Sequence, residues 1–568
     1  MFDKPLLDAI RKHAVKNALD YGKANEKTVL GRILSEFPET KKQIADLNKQ
    51  INEIVSTVNS LSKEQIQAES ALHAGEFAKA EAIKAKESVP KFVLEGAVEG
   101  KFFARFSPEP NGFPHIGHAK IAFMEREFTD IYKGNLALYF DDTNPEAEKQ
   151  EYVDAIRSDM EWLGIKFDRE YYSSDHIPQV YTNAEKLISQ GDAYACSCAA
   201  ETMSENREKG IECAHRSAPV SVNLDFWNRM LKKEFVENQI AIRLKGDMKS
   251  LNTVMRDPVL LRIKIHPHYR QGTKYVVWPT YDFNTPIVDS IEGITDAMRS
   301  KEYELRDELY AKILDLLGLR KPRIHSIARL EIKDGLTSKR KVKELIEQGL
   351  LMGYDDPRLV TVASLRRRGI VPEAIKKFVL RFGMSKTNSE VDISMLLDEN
   401  RKIIDRISKR LFFVQNPRKI TIEGATAQDV KMKLLDNPAE FRQYNVGNVV
   451  YISDKDAQVL KVGDKIRFKD LFIVEISNSQ GDTCKFIGGD QKTDRTVQWV
   501  SEGNYIDAKL LIPGRLLVDG EFNKDSLEHV SGFIESYAGK LKQGEIVQLE
   551  RVGFFRLDNK QEMTFIGS

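Results

Sequence analysis

The stretch Lys101-Phe-Phe-Ala-Arg105-Phe-Ser-Pro-Glu-Pro-Asn-Gly-Phe-Pro-His115-Ile-Gly-His118 decides how the rest of the chain is read. It opens as a short apolar run of strand type and passes through a loop rich in Pro and Gly. Beyond it Ile121, Met124, Phe128 and Ile131 fall on one face of a helix. A helix start exposes unpaired backbone N–H groups and the positive end of the helix dipole, so phosphate is favoured there. His115 and His118 put both imidazoles on one side of that start, and Gly117 leaves room between them for a flat base or a phosphate. Two such histidines alone are more simply read as capping or core residues. The complete His-Ile-Gly-His tetrapeptide in a strand, loop and helix context reverses that preference.

Downstream, the apolar run LALYFDD ends in carboxylates, and Val153, Ile156, Met160 and Leu163 mark a second amphipathic helix that stops near Gly164. Strands alternating with helices of this length predict a parallel sheet with ligands beyond the strands' carboxyl ends, where Arg105 and Asp141 sit. From about Asp175 to Gly272 the pattern is interrupted, which reads as an inserted domain. Alternation is expected to resume at KYVVWPTYDF and to run through a helix around Glu302 to Leu317 into IHSIARLEI. Residues Lys339 to Arg410 read as helical and basic, with Arg366, Arg367, Arg368, Lys376, Lys377 and Arg381 among them. After Pro417, short β-type runs between Gly, Asp and Asn turns predict one or two β-barrels.

Upstream, the first 95 residues or so read as helix. Ile44, Leu47, Ile51, Ile54, Val58 and Leu61 repeat with coiled-coil-like spacing, read as a local antiparallel helix hairpin, with partner docking as the minority alternative. The Ala-, Glu- and Lys-rich stretch from Lys63 to Glu87 reads as an exposed helix or linker, and a boundary is expected near Ser88 to Glu95.

At 568 residues and 64.8 kDa the chain has room for about three to five domains, and 41% hydrophobic with 30% charged residues is the profile of a globular chain with real cores. No apolar stretch approaches a membrane span and the charged start lacks a signal-peptide core, so a cytoplasmic protein without membrane association is expected. With 86 Lys and Arg against 85 Asp and Glu, net charge makes no case for nucleic acid. Cysteines number four. Cys196-x-Cys198 followed by Cys213-x-His215 is a donor set for tetrahedral zinc, although C-x-C is a tighter pair than the common C-x₂-C. Cys484 stands alone and reads as packing. Leu336-Thr-Ser338-Lys339-Arg-Lys341 follows a Gly, a flexible basic loop able to close on a polyanion.

Together with RFSPEPNGFPHIGHAK, the segments YFDDTNPEAE (139–148), VMRDPVLLRIK (254–264), YDFNTPIVDSIEGIT (281–295), LTSKRK (336–341) and DDPRLVTVASLRRRGI (355–370) resemble the motifs of class I glutamyl- and glutaminyl-tRNA synthetases. TVQWVS and RVGFFRLDN extend the resemblance, which is to the archaeal-type branch with β-barrel anticodon-binding domains and covers about residues 96–568. It departs from the family in the loop, where Leu336 and Thr337 replace the first two residues of the usual KMSKS while Ser338 and Lys339 are kept. The implied fold is multidomain: an N-terminal helical extension (1–95), an α/β Rossmann-like catalytic domain in two halves (96–175 and 274–335), and an acceptor-binding insertion with a zinc module (176–273). A KMSKS-type loop with a helical stem-contact domain (336–415) and β-barrel anticodon-binding domains (416–568) complete it.

The resemblance implies two-step chemistry with ATP and Mg²⁺. An L-glutamate carboxylate attacks the α-phosphate, and the acyl group then passes to the terminal ribose of tRNA(Glu), with tRNA(Gln) as a second acceptor left open. It implies catalytic roles for His115, His118 and Lys339, which with Pro108, Gly117, Leu330 and Ser338 would surround ATP. Asp141 would hold the α-ammonium, and Arg105, Tyr281 and Arg299 would meet the rest of the amino acid. Arg299 stands where glutaminyl enzymes typically carry a small neutral residue, and a rigid charged fork suits a γ-carboxylate better than a carboxamide; outside the resemblance, a surface ion pair with Glu302 or Glu304 is the simpler reading. The resemblance also implies phosphate contacts by the basic run at 366–381, with Trp499 a candidate for stacking on an anticodon base. Three alternatives remain: a glutaminyl enzyme, opposed by Arg299; a non-catalytic RNA-binding paralogue, opposed by the intact histidines and loop lysine; and a small nucleotidyltransferase, opposed by the rest of the chain.

Overall fold

The computed structural model describes residues 2, 4–37, 40, 43–72, 93–435, 439–489, 493 and 495–567. The chain divides between Pro90 and Lys91 into two compact units. In the first, helices Lys4–Tyr21, Glu26–Glu36, Ile44–Asn59 and Lys63–Leu72 enclose one apolar core of Leu6, Ile10, Val29, Ile33, Leu47, Ile51, Val55, Val58 and Ile66. The buried seam of the third helix is Leu47, Ile51, Val55 and Val58, and Ile44 lies exposed. Among the described residues this is a cluster of four helices, not the two-helix hairpin read from spacing, because the seam shares its core with Ile10 and Ala14 of the first helix as well. The linker reading from Lys63 onward covers helix Lys63–Leu72, and residues 73–92 lie outside the described residues.

The second unit opens with three parallel strands, β1 (Phe103–Phe106), β2 (Asn135–Phe140) and β3 (Arg169–Tyr172), joined by helices Ile116–Ile131 and Gln150–Trp162. Met124 and Phe128 of the first helix and Val153, Ile156 and Met160 of the second bury their stripes in one core with Leu136 and Leu138 of β2, while Ile131 at the helix end is exposed. The insertion folds as a four-stranded antiparallel sheet, β4 (Ala193–Cys196), β5 (Ala241–Leu244), β6 (Val259–Ile263) and β7 (Val277–Pro279), in that order. The run KYVVWP therefore belongs to the insertion's sheet edge and not to the parallel sheet. A short apolar run carries no signal of which sheet it joins; pairing with β6 decides it.

After helix Tyr281–Ile291, β8 (Asp296–Ser300) and β9 (Arg323–Ile327) pair in parallel. The Thr295 N–H donates to Phe103 O (2.9 Å) and the Phe103 N–H to Thr295 Oγ1 (2.8 Å), which sets β8 beside β1. The spatial order β3-β2-β1-β8-β9 reverses direction between β1 and β8, and such a switch point opens a crevice at the strands' carboxyl ends. Helices Lys339–Glu347, Val362–Arg367, Pro372–Leu380 and Ser394–Ile404 follow. Among the described residues, strands from Lys409 onward form two barrel-like, seven-stranded sheets and two two-stranded ones. A separate antiparallel pair, Gln428–Leu435 with Glu440–Val446, turns Val430, Met432, Tyr444 and Val446 inward in alternation. Among the described residues no helix is long and apolar enough to cross a membrane.

Candidate active site and metal centre

A cavity of about 1030 Å³ opens at the switch point, lined by Pro108, His115, Gly117, His118, Asp141, Tyr281, Arg299, Leu330, Ser338 and Lys339 among others. Of the residues singled out around ATP and the amino acid, only Arg105 is missing from its wall. Arg105 leaves β1 and is fully buried: Nε and one terminal nitrogen donate to the two oxygens of Asp289 (2.8 and 3.2 Å), and the other terminal nitrogen to Met298 O (2.9 Å). Burial opposes its charge, but Asp289 outweighs burial and raises its pKa. The guanidinium thus ties β1 to β8 and helix Tyr281–Ile291 from behind the cavity.

His115 caps helix Ile116–Ile131, its Nδ1 accepting the Gly117 N–H (3.1 Å), while His118 Nδ1 accepts the His115 N–H (3.2 Å). A neutral imidazole whose Nδ1 accepts carries its proton on Nε2, so both rings are left with an Nε2–H to donate. Burial, then Lys339 and Arg329, lowers the His115 pKa to about 4, and burial, then His115 and Lys339, holds His118 well below its ordinary value. Both are therefore neutral at pH 7. Gly117 is required by crowding: a Cβ there would stand 2.8 Å from His115 Cε1.

Lys339 begins helix Lys339–Glu347 and reaches back across the cavity mouth to Asn111 Oδ1, its stem against Gly112, where an added Cβ would come within 2.9 Å. Burial lowers its pKa, opposed by Glu109. Asp141, just past β2, accepts from Ser173 Oγ (3.2 Å), and burial, reinforced by Glu109, pushes its carboxyl up to about 7. Tyr281 stands at the first turn of its helix with its ring 4.7 Å from that of Tyr303. Arg299, on β8, pairs with Asp307 and lies over the Tyr310 ring (5.0 Å), with Nε unpartnered. Glu302 and Glu304, the partners a surface ion pair would have used, are engaged by Arg329 and Lys386.

Two buried groups at this cavity were missed in the sequence. Lys120 donates to Ala328 O (2.8 Å), and burial brings its amine down to about 8; Glu125 is fully buried with neither carboxyl oxygen hydrogen-bonded. The spacing of His118, Ile121 and Glu125 held the signal, since it puts an acid on the histidine face of the helix.

In the insertion, ligand atoms of Cys196, Cys198, Cys213 and His215 all lie within 4.8 Å of one another. Sγ of Cys196 is 3.9 Å from Sγ of Cys213 and 3.9 Å from His215 Nδ1, and Cys198 Sγ is 3.3 Å from that Nδ1. Tetrahedral zinc with bonds of about 2.0–2.3 Å needs donor separations near these. His215 Nε2 meets Ser197 Oγ (3.0 Å), leaving Nδ1 as the donor to a metal. Burial pushes the Cys196 thiol up to about 12, and three sulfurs this close could all be thiolates only with a cation among them. Cys484 is buried in a sheet core, consistent with packing.

Along the basic run at 366–381, Arg366 is exposed and lies over the Trp162 ring (5.8 Å). Arg367 pairs with Asp355 and Asp558, Lys376 with Glu127, Lys377 with Glu373 and Arg381 with Glu399, while Arg368 is buried. Trp499 is buried and its indole N–H donates to Lys469 O (2.9 Å), so it presents no ring to a base.

A parallel sheet with a switch-point cavity, paired histidines at a helix start and a lysine loop over them defines a nucleotide-activating enzyme of the class I synthetase type. Residues 101–405 match the family described as tRNA synthetases class I (E and Q), catalytic domain, and residues 408–487 and 496–558 match two anti-codon binding domains of the same class. The chain belongs to this family of class I tRNA synthetases. It is 41% identical to a glutamate–tRNA ligase of Nitrosopumilus maritimus over 99% of both chains. It is 36% identical to one from Korarchaeum cryptofilum over 98% of both, and 38% identical to one from Pyrococcus furiosus over 96% of both. Among solved structures, a glutamate tRNA ligase from Elizabethkingia meningosepticum overlaps 54% of this chain and 70% of its own with TM-score 0.40 at 19% identity.

Proposed function

We infer that this protein is a glutamate–tRNA ligase that joins L-glutamate to the terminal ribose of tRNA(Glu) through a glutamyl-adenylate. One observation carries the reading: two neutral imidazoles with free Nε2–H groups, the Lys339 amine, Asp141 and the Arg299 guanidinium converge on a single cavity. The near full-length relatives named for this activity agree with it.

A glutamate carboxylate oxygen attacks the α-phosphorus of ATP and pyrophosphate leaves; a ribose hydroxyl of the tRNA then attacks the acyl carbon and AMP leaves. A carboxylate needs no base to activate it, so the residues act by alignment and by meeting charge as it develops. His115 and His118 donate to phosphate oxygens, Lys339 neutralises the departing pyrophosphate, and Pro108, Gly117, Leu330 and Ser338 enclose the nucleotide. Asp141 holds the α-ammonium, Tyr281 and Arg299 meet the side chain, and Arg105 braces that wall from behind. Mg²⁺ would enter with ATP and supply charge neutralisation for its phosphates. Cys196, Cys198, Cys213 and His215 would hold Zn²⁺, which would brace the insertion rather than take part in the chemistry.

The domain division that accompanies this reading is a helical extension (1–95), a split catalytic domain (96–175 and 274–335), an acceptor-binding insertion (176–273) whose sheet is completed by the strand Val277–Pro279, a loop and stem-contact domain (336–415) and anticodon-binding barrels (416–568). The enzyme would work in the cytoplasm. The test is aminoacylation of total tRNA with labelled glutamate and labelled glutamine side by side, followed by sequencing of the charged tRNAs. Glutamate alone is the expected result, and the tRNA identities decide whether tRNA(Gln) is included. Charging with glutamine would make the protein a glutaminyl enzyme, and charging with neither on competent tRNA would leave a non-catalytic paralogue.

A further inference from the structure

Asp142, next to Asp141, is fully buried and closely held. Its Oδ1 accepts the Ser174 N–H (2.8 Å), and its Oδ2 accepts the hydroxyls of Ser174 (2.8 Å) and Tyr269 (3.1 Å). Asp141 leans on the preceding serine, Ser173, so consecutive carboxylates rest on consecutive hydroxyls.

Tyr269 comes from the β6–β7 loop of the insertion, which the His268 N–H to Gly272 O (2.9 Å) and Gly272 N–H to His268 O (2.8 Å) bonds close into a turn. Inside that turn His268 Nδ1 accepts the backbone N–H groups of Arg270 (3.2 Å) and Gln271 (3.1 Å), which places the ring proton on Nε2. The ring stacks on Trp278 (4.9 Å between centroids), and Nε2 stands 3.4 Å from Glu148 Oε2 and 3.6 Å from Asp142 Oδ2, all three side chains sealed from solvent. Neither His268 Nε2 nor Glu148 Oε2 makes a hydrogen bond in this structure. A buried donor and a buried acceptor left unsatisfied side by side are satisfied when a small shift closes that gap.

Glu148 and Asp142 lie at the two ends of one segment. Within it Asp141, Thr143, Asn144 and Glu148 form one wall of the cavity. Arg270 and Gln271 of the same turn add bonds to Asp175 (3.1 and 3.0 Å). We propose that His268 is a positioning residue for amino-acid binding: its Nε2–H, delivered by the insertion, ties both ends of the 141–148 wall and so sets the Asp141 carboxylate against the substrate's α-ammonium. The proposal rests on reading the cavity as the glutamate site. It makes the joint between insertion and parallel sheet part of the substrate's binding geometry.

The test measures aminoacylation by the full-length wild type, His268→Gln and His268→Leu, with the KM for glutamate and for ATP determined separately at saturating levels of the other substrates. Glutamine keeps an N–H donor at the Nε2 position and leucine does not. Because misplacement of a binding group by about 1 Å is costly, His268→Leu is expected to raise the KM for glutamate about tenfold or more, with the KM for ATP held within about twofold and glutamine recovering most of the loss. An unchanged KM for glutamate in His268→Leu, or equal impairment of both variants toward both substrates, overturns the proposal. If His268→Leu does not fold, His268→Asn, whose amide reaches only the Nδ1 position, takes its place with the same expectations. Failure of the wild type to charge any tRNA with glutamate would instead defeat the functional reading on which the proposal stands.

Discussion

Arg299 brings a permanent charge to a cavity wall where it is 6% exposed, pairs with Asp307 and keeps Nε without a partner. A carboxylate entering the cavity can pair with such a fork, whereas a carboxamide leaves it partly unmatched in a desolvated place. Substituting Arg299→Cys is expected to lower kcat/KM for glutamate by about 10²–10³-fold and to improve use of glutamine, read from charging with each amino acid. Unchanged selectivity would move the discriminator elsewhere. Asp141 carries a second prediction. Its carboxyl must be ionised to hold an ammonium, and burial with Glu109 raises its pKa to about 7, so the competent form is lost as pH falls through that value. The kcat/KM for glutamate should fall about tenfold per pH unit below about pH 7, an acid limb that His115, with its pKa near 4, does not supply. A flat profile from pH 5 to 8 would contradict it.

At the scale of elements, the insertion joins the molecule through both its sheet and its cysteine cluster. Trp227, Ile242, Leu261 and Val277 share a core with Phe283 and Ile287 of helix Tyr281–Ile291, so the insertion's packing is continuous with that of the cavity wall. Cys196 ends β4, and Cys213 with His215 comes from a short turn beyond helix Ala200–Lys209; a metal would clamp these pieces together. Protein purified without chelator should hold about one zinc per chain, and Cys198→Ser should lower that stoichiometry and the thermal midpoint by roughly 5 °C or more. A zinc content near zero would leave the cysteines as packing.

At the scale of the molecule, every residue lining the cavity, the cysteine cluster and the His268 turn belongs to the unit from Lys91 onward. A chain beginning at Lys91 is expected to keep kcat for glutamate charging within about threefold of the full protein, since no alignment or charge-stabilising group is lost. The KM for tRNA is left free to change. A loss of kcat beyond about tenfold would mean that the first unit takes part in the chemistry.

The order of strands and helices around β1, the helix start that carries His115 and His118, and the Cys3His set were legible in the chain, because each rests on short-range spacing: alternation, a cap, a ligand pair. Periodicity could not say that Val277–Pro279 joins the insertion's sheet, since short apolar runs look alike until a partner strand is chosen. Nor could it say that Arg105 is spent on Asp289, 184 residues away, that Trp499 faces a core, or that Arg367 pairs with Asp558 and Arg381 with Glu399. By itself the sequence determined which chemical groups the protein owns and on which local elements they ride. Only the tertiary structure decided which of them share a cavity and which are neutralised on the way. Burial and charge pairing depend on residues distant in the chain that only folding brings within a few ångströms.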